Sequence, residues 1–281
     1  MEQNASWGQA MLNPVQIAAF RRNLPAQLQL HELRRAVGRA DGLTCLDVSS
    51  QPALFSLHLR KAGGDWQTAV PDQYRADAAR AVLDGRVCVL RAGRLPFEDK
   101  TFDLVVLSDL LEAFEDDTAL VRECHRVLKS DGRLMVTARN LKRWSLINLL
   151  QPLLGLSPLR LGWARRGYTE KMLFQVLKTG FDVVSLRSHR RILVECVDTL
   201  VRAALGCAPA AAPDRPGAGR RAYLLAAFPY RLAYQLDVLF FFTRGFAWTA
   251  VARRRPWRPR QAPVLSDGRT IPEAVLSRAA D

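Results

Sequence analysis

Two aspartates stand where short apolar runs of the chain end, and a carboxylate at such a place could do chemistry. Asp47 lies inside the run 43–48, and Asp109 closely follows the run 102–107. If these runs are parallel strands, their carboxyl ends meet at the crevice where open α/β sheets bind ligands. Asp47 is therefore a candidate ligand-binding residue, and Asp109 is a candidate general base. The structural alternatives are a helix-capping or loop-bonding role for Asp47 and an N-cap role for Asp109.

The other residues with reactive side chains have mainly structural interpretations. Glu112 is either a solvated helix residue or a catalytic one, and His125 is expected to pack or to lie at the surface. No group of His, Asp and Glu has metal-ligand spacing, so no metal site is predicted. The five cysteines include no C-x-x-C pair, which argues against a disulfide framework and a cysteine zinc site. A cytoplasmic protein is expected, and the first residues do not resemble a signal peptide.

The elements that must position the two aspartates alternate between strand and helix. The strand runs are apolar throughout, which is typical of strands covered on both faces. Right-handed crossovers between such strands predict an α/β fold with a doubly wound, mostly parallel sheet. The predicted strands span residues 43–48, 66–70, 86–90, 102–107, 133–138, 181–186 and 246–252. The predicted helices span residues 13–40 with a break at Pro25, 54–61, 74–83, 117–129, 168–179 and 192–205.

Charge divides the 281-residue chain into two unlike halves. Residues 1–140 carry 18 Lys or Arg and 18 Asp or Glu, whereas residues 141–281 carry 23 and 9, so the net charge of +14 lies in the second half. That half is expected to meet an anionic surface or partner. A hydrophobic content of 49% and a charged content of 24% are typical of a globular protein and exclude wholesale disorder.

Two apolar stretches of the basic half, residues 146–161 and 222–243, are flanked by arginines. They suit the interface of an anionic membrane, which predicts peripheral contact at the inner membrane surface through residues 141–166 and 222–260. Two charged residues inside the second stretch make it a poor spanning segment. Packing on the sheet or a dimer contact is the alternative. Nucleic-acid binding is the rival use of the charge, through Arg253, Arg254, Arg255, Trp257, Arg258 and Arg260.

A run of short motifs occupies the stretch 95–140. Leu-Pro-Phe at 95–97, Phe-Asp at 102–103, Arg-Val-Leu-Lys at 126–129 and Gly132 follow one another there. In this order the stretch resembles the centre of class I S-adenosylmethionine (SAM)-dependent methyltransferases of the bacterial type 11 kind. The resemblance implies a Rossmann-like seven-stranded sheet with an antiparallel last strand and an α-helical accessory insertion before it. It divides the chain into an N-terminal helical segment (1–40), a methyltransferase-like domain (41–190 with 245–253), an apolar and basic helical insertion (191–244, with a linker at 207–221) and a flexible basic tail (254–281).

The same resemblance implies a cofactor site. In the family a glycine loop follows the first strand, and here Ser49, Gln51 and Ala53 stand in place of its three glycines. Glycine lets the backbone approach a ligand closely, and a side chain there occupies that space. By position in the family, the residues implied to line SAM are Asp47, Ser49, Gln51, Asp72, Ala92, Gly93 and Ser108, with Asp109 near the methyl acceptor.

Three functions remain open from the sequence. The first is SAM-dependent methyl transfer to a small-molecule or lipid-linked acceptor, with the hydroxyls of Ser49 and Ser50 replacing the close backbone approach. The second is a non-catalytic methyltransferase-fold protein that binds a membrane surface or a partner. The third is an enzyme for another nucleotide-like ligand. The first is the favoured interpretation, because the scaffold motifs are kept.

Overall fold

The computed structural model describes residues 14–50, 52–83, 86–91, 93–142, 145, 147, 151, 153–156, 163–204 and 225–257. Seven strands in these residues form one sheet in the order β3-β2-β1-β4-β5-β7-β6. They are β1 (Thr44–Ser49), β2 (Asp65–Val70), β3 (Val87–Val89), β4 (Phe102–Ser108), β5 (Leu128–Arg139), β6 (Phe181–His189) and β7 (Ala247–Arg254). Only β7 runs antiparallel to its neighbours, so the predicted doubly wound, mostly parallel fold is confirmed.

Two helices precede the first strand and the others lie between strands, and some of the helix starts carry capping side chains. Asn23 accepts a hydrogen bond from Ala26 N at 3.1 Å, and Thr169 accepts one from Met172 N at 3.2 Å. The described α-helices are α1 (Pro14–Arg22), α2 (Leu24–Val37), α3 (Pro52–Arg60), α4 (Gln73–Arg80), α5 (Asp117–Val127), α6 (Glu170–Leu177), α7 (Ile192–Ala204) and α8 (Ala227–Leu236), with 3-10 turns at Leu111–Ala113 and Asp237–Phe240.

Both faces of the central strands are buried, as their apolar runs predict. On one face, side chains of β4 and β5 such as Leu107 pack in one cluster with residues of α5 and α6. On the other face, Leu30 and Leu33 of α2 pack with Leu104 and Met135. Burial of each such side chain contributes about 1.5–3 kcal/mol. The helix α2 is therefore part of the core that supports the sheet.

Two strand boundaries differ from the prediction by three residues or more. The helix predicted over 117–129 ends at Val127, because Leu128 is buried and pairs with Phe102 as the first residue of β5. The strand β6 continues to His189, since it pairs with β7 along its whole length. Pairing between strands distant in sequence decides both boundaries, and a local hydrophobic pattern does not report such pairing.

The basic tail, expected to be flexible, packs on the domain as far as Trp257. Arg254 ends β7 and donates from Nε to the carbonyl of His125 at 2.8 Å. Arg255 donates to Asp182 at 2.9 Å, and the Trp257 ring centroid lies 5.1 Å from that of His125. These side chains make contacts within the fold, which argues against their use on nucleic acid. Of the other three arginines named for that role, Arg253 is exposed, and Arg258 and Arg260 lie outside the described residues.

The accessory helices α7 and α8 come between β6 and β7 in the chain, at the place predicted for the insertion. Tyr230 is buried in α8, and its hydroxyl donates to Asp198 of α7 at 2.8 Å. The buried carboxylate of Asp237 accepts two backbone N–H groups at the start of α7. None of the described helices is long and apolar enough to cross a bilayer. The linker predicted at 207–221 and most of the stretch 146–161 lie outside the described residues.

Two glycines with left-handed backbone allow a test of the packing at the start of the sheet. A Cβ on Gly64 (φ +81°) would lie 2.5 Å from the carbonyl oxygen of Ala40 and 2.9 Å from that of Leu43. A Cβ on Gly42 (φ +75°) would meet no atom within 4 Å. Gly64→Ala should therefore cost about 3 kcal/mol of unfolding free energy, and Gly42→Ala about 1 kcal/mol. Urea unfolding of both variants measures the difference, and equal losses would contradict the described packing.

Candidate active site

Asp47 lies fully buried in β1 with one of its two carboxylate oxygens bonded. The hydroxyl of Ser56, inside α3, donates to Oδ2, while Oδ1 has no hydrogen-bond partner among the described residues. Burial raises the pKa of Asp47 to about 6, against the opposing effects of the Ser56 hydrogen bond and the positive charge of Arg60. Asp47 therefore ties β1 to α3 and keeps one buried acceptor oxygen for a further donor.

Two serines end the neighbouring strands β1 and β4 beside each other. Ser49 pairs with Ser108 across the two strands, and the residues are only 2% and 3% exposed. The hydroxyl of Ser108 is buried without a hydrogen-bond partner in the part of the chain that the structure describes. Buried hydroxyls are usually hydrogen-bonded, so this group is available to a ligand at the carboxyl ends of these strands.

Asp109 has a left-handed backbone and a fixed side chain. Its φ is +49°, a conformation that non-glycine residues adopt rarely and that is common at functional sites. Gln29 of α2 donates to Oδ2 at 2.8 Å, and the Thr137 hydroxyl donates to Oδ1 at 3.1 Å. The next 3-10 turn has Leu110 at its N-cap position, with no side-chain cap, so the N-cap alternative for Asp109 is wrong. Two hydrogen bonds therefore orient this carboxylate at the end of β4.

Glu112 is buried beside Asp109, so its interpretation as a solvated residue is wrong. It is 2% exposed, its Oε1 accepts the backbone N–H of Arg139, and its Oε2 has no partner among the described residues. The Glu112 backbone carbonyl accepts N–H groups from Ala164 at 2.8 Å and Arg165 at 3.2 Å, so these residues are tied to the Glu112 backbone. Burial, together with the negative charge of Asp109, raises the pKa of Glu112 to about 7. Such a carboxyl can exchange a proton near neutral pH.

Asp72 follows β2 and is held by Arg75. Its carboxylate accepts the backbone N–H of Arg75 at 2.9 Å as the N-cap of α4, and it also pairs with the Arg75 guanidinium. Nε of Arg75 donates to the carbonyl of Ser50 at 2.9 Å, so a bridge connects α4 to the end of β1. The Asp72 side chain is 40% exposed, and its oxygens retain lone pairs for hydroxyl groups of a ligand.

The loop after β3 contains Gly93, which has free space around its Cα. Gly93 has φ of +76°, which favours glycine, and a Cβ there would contact only the ring of Phe114, at 3.6 Å. Gln51 and Ala92, the other two residues predicted to line SAM, lie outside the described residues. Their roles stay predictions.

A buried charge cluster lies at the carboxyl ends of β5 and β6. Nη2 of Arg139 lies 3.1 Å from Glu195, and its guanidinium lies 4.3 Å from the centroid of the Trp163 ring. Nε of Arg190 lies 3.8 Å from the other Glu195 oxygen. Burial and the charge of Arg190 lower the pKa of His189 to about 3, which keeps His189 neutral. In the described residues, no group of three or more His, Cys, Asp and Glu could hold a metal ion.

The structure brings four of the predicted site residues together at the carboxyl ends of β1 and β4: Asp47, Ser49, Ser108 and Asp109. Sequence reasoning missed Gln29, Thr137 and Arg139. Gln29 could have been found because it is a polar residue next to apolar positions of α2. The structure shows that Gln29 is buried on that helix. Thr137 and Arg139 lie at the carboxyl end of β5. Because ligands bind at the carboxyl ends of such strands, this position could have identified both residues as candidates.

The polar atoms of this crevice fit SAM as a ligand. Oδ1 of Asp47 and Oγ of Ser108 are buried without partners among the described residues, and a ligand's polar groups would satisfy them. Asp72 offers carboxylate oxygens at the end of β2, the place where dinucleotide-binding folds hold ribose hydroxyls. Ser49 ends β1 with its side chain buried rather than projecting into solvent.

The strand order defines the class of fold. A seven-stranded sheet with one antiparallel strand in this order is that of class I methyltransferase-type domains. Residues 46–136 match the model of the methyltransferase domain family. The resemblance described from the sequence is thereby confirmed.

Curated relatives and solved structures agree with this class. This chain is 35% identical over 103 residues to demethylmenaquinone methyltransferase of Mycolicibacterium paratuberculosis. The aligned part covers 37% of this chain and 44% of the relative. The chain is 39% identical over 59 residues to demethylmenaquinone methyltransferase of Thermotoga maritima (21% of this chain, 26% of the relative). The chain therefore spans less than half the length of these relatives. The predicted enzyme class, methyltransferase, is the class of the matched family and of both relatives.

A solved S-adenosylmethionine-dependent methyltransferase from Mesorhizobium loti has the same fold. Its TM-score is 0.53 at 18% identity, over 80% of this chain and 96% of that one. The similarity therefore extends over most of the sheet and its helices. At this identity it supports the fold alone.

Proposed function

We propose that this protein transfers a methyl group from SAM to a small-molecule acceptor whose reacting group loses a proton. The observation that carries the proposal is the pair of carboxylates after β4. Glu112 is buried, its Oε2 has no hydrogen-bond partner within the described ranges, and its pKa is raised to about 7, while Asp109 is oriented beside it. Such a pair suits proton removal from a hydroxyl or an acidic carbon at neutral pH.

The residues at the ends of the first strands are proposed to hold the methyl donor. When bound, SAM supplies a methyl group on a positively charged sulfur. Asp47 and Ser108 would bond to polar groups of the donor through the oxygens that lack a partner in the described part of the chain, and Asp72 would accept hydroxyl groups. Ser49 and Gly93 line the same ends of the sheet and limit the space around the donor.

The residues after β4 are proposed to act on the acceptor. Glu112 would accept the proton at Oε2 while its Oε1 stays bonded to the backbone of Arg139. Gln29 and Thr137 hold Asp109, so its charge stays close to Glu112 and keeps that carboxyl basic. Orientation of the two reactants in this crevice supplies a further part of the rate.

A quinone-type, lipid-linked acceptor is the form of the substrate that we propose. Both relatives named above are demethylmenaquinone methyltransferases. A reduced quinone ring carries hydroxyl groups and an adjacent carbon that can lose a proton, which matches the proposed base.

Calorimetric binding of SAM and of S-adenosylhomocysteine tests this function. Binding is expected, and Asp47→Asn should weaken it about tenfold, because a charged acceptor is replaced by a neutral amide while the Ser56 bond can persist. Since the pKa of Asp47 is about 6, affinity should rise as the pH increases through this value and Asp47 ionises.

The matched control is Asp77→Asn, an exposed aspartate paired with Arg80, which should bind both ligands like the wild type. A folded protein that binds neither ligand at millimolar concentration would contradict the proposal. That outcome would favour the non-catalytic alternative, for which the pairing of Asp72 with Arg75 is the supporting observation.

A further inference from the structure

An exposed apolar ridge runs along α8 and the turn after it. Within α8, Phe228, Leu232 and Leu236 follow one another at intervals of four, which places them along one side of the helix. Phe241 and Phe242 continue the ridge and are 74% and 73% exposed. We call this surface the α8 ridge, and its residues are Leu225, Phe228, Leu232, Leu236, Val238, Leu239, Phe241 and Phe242.

The orientation of α8 is determined by its opposite side. Tyr230 and Ala233 are buried and cluster with Val194 of α7. The Tyr230 hydroxyl donates to the buried carboxylate of Asp198, so the helix cannot roll to bury its ridge without breaking this bond. The ridge therefore faces outward as a consequence of the fold. Exposed apolar patches of this kind usually mark interaction sites in globular proteins.

The charges around the ridge select the kind of partner. The acidic residues of α7, α8 and the following turn are all buried: Glu195, Asp198 and Asp237. The exposed charge within α8 is Arg231, placed between Phe228 and Leu232. Arg244 is also exposed just after the ridge, where it pairs with Glu170. An apolar surface bordered by arginines is complementary to an anionic, hydrocarbon-containing surface.

We propose that the α8 ridge inserts into the interface of an anionic lipid bilayer. Phenylalanine and leucine side chains would enter the boundary between headgroups and acyl chains, and Arg231 would stay at the level of the phosphates. Each basic residue near such a surface adds about 1 kcal/mol of attraction. The proposal does not depend on methyl transfer, since it concerns the binding surface alone.

The ridge is connected through α7 to the residues proposed to act on the acceptor. Asp237 lies within the ridge segment and caps α7, the helix that carries Glu195. Glu195 in turn pairs with Arg139, whose backbone N–H holds Glu112. A bilayer bound at the ridge would thus lie against the elements that border the acceptor side of the crevice.

Vesicle flotation tests the ridge with the full chain. The wild type should float with vesicles of phosphatidylcholine and phosphatidylglycerol in equal parts and much less with phosphatidylcholine alone. The double variant Phe241→Ser/Phe242→Ser should lose binding at least about tenfold, because two exposed aromatic side chains no longer enter the bilayer. Both positions are exposed, so circular dichroism should match the wild type.

The matched control is Phe174→Ser, an exposed phenylalanine of α6, a helix that contacts α5 and β6. It should bind vesicles like the wild type. Equal binding by the double variant and the wild type would overturn the proposal and assign any attraction to charge alone. The proposal would also be overturned if the wild type does not bind vesicles and is a dimer in solution, while the double variant is a monomer. The ridge would then join two copies of the chain.

Discussion

Glu112→Gln is expected to lower the rate of methyl transfer by about two to three orders of magnitude, with SAM affinity unchanged. Glutamine keeps the shape of the side chain and an oxygen for the backbone N–H of Arg139, but it cannot take up a proton. General-base catalysis contributes roughly this factor. The measurement is a single-turnover methyl transfer from labelled SAM to a short-chain naphthoquinol, and it rests on the proposed function.

The pH dependence gives this prediction a second readout. The pKa of Glu112 is about 7 in the folded protein, so the wild-type rate should rise as the pH increases through 7 and the base ionises. In Glu112→Gln that step should disappear. The control Glu115→Gln changes an exposed residue three positions away and should keep both the rate and the pH profile. A Glu112→Gln protein with the wild-type rate and profile would remove Glu112 from the mechanism.

The carboxyl of Glu112 should also make the free energy of unfolding depend on pH. Its folded pKa of about 7 lies above its ordinary value of 4.5, so between these pH values the folded state holds a proton that the unfolded state has released. The stabilising effect is therefore complete below pH 4.5 and is lost as the pH rises to 7. The variant Glu112→Gln lacks this dependence, so the slope of its unfolding free energy against pH should differ from that of the wild type in this range.

Arg139→Met is expected to lower the free energy of unfolding by about 3–5 kcal/mol, the largest stability loss that we predict. The Glu195 carboxylate is only 2% exposed and would lose its partner at 3.1 Å, leaving Arg190 at 3.8 Å. A buried charge without a close partner is costly, and the Trp163 ring would also lose the stacked guanidinium. Urea unfolding and a fall in Tm of about 10 °C are the measurements.

Two further variants distinguish the cost of leaving Glu195 unpaired from the cost of losing an arginine side chain. Adding Glu195→Gln to Arg139→Met removes the unpaired charge and should restore part of the stability. Arg39→Met breaks an ion pair whose side chains are 93% and 62% exposed, and it should leave Tm nearly unchanged. If Arg139→Met unfolds at the wild-type urea concentration, the described cluster does not stabilise the protein.

Local chemistry made much of the site predictable. Continuous apolar runs imply buried parallel strands, and the carboxyl ends of such strands meet at one edge. For this reason Asp47, Ser108 and Asp109 could be placed at a crevice before their contacts were known. Residues that cap helices, such as Thr169, were predictable because a cap acts within four residues of itself.

The partners of these residues depend on contacts that no local pattern encodes. Gln29 bonds to Asp109 across 80 positions of the chain, and Arg139 pairs with Glu195 across 56. The buried side chain of Glu112 accepts a hydrogen bond from the backbone of Arg139, which lies in β5.

The sequence by itself therefore determined the class of the domain and the strand ends that carry its polar residues. Only the tertiary structure decided which carboxyl is buried, because burial and pKa depend on what distant segments place above a side chain. It likewise decided that the apolar residues of 225–242 divide into a buried side on α7 and an exposed α8 ridge, since the packing partner selects the face of a helix that is buried.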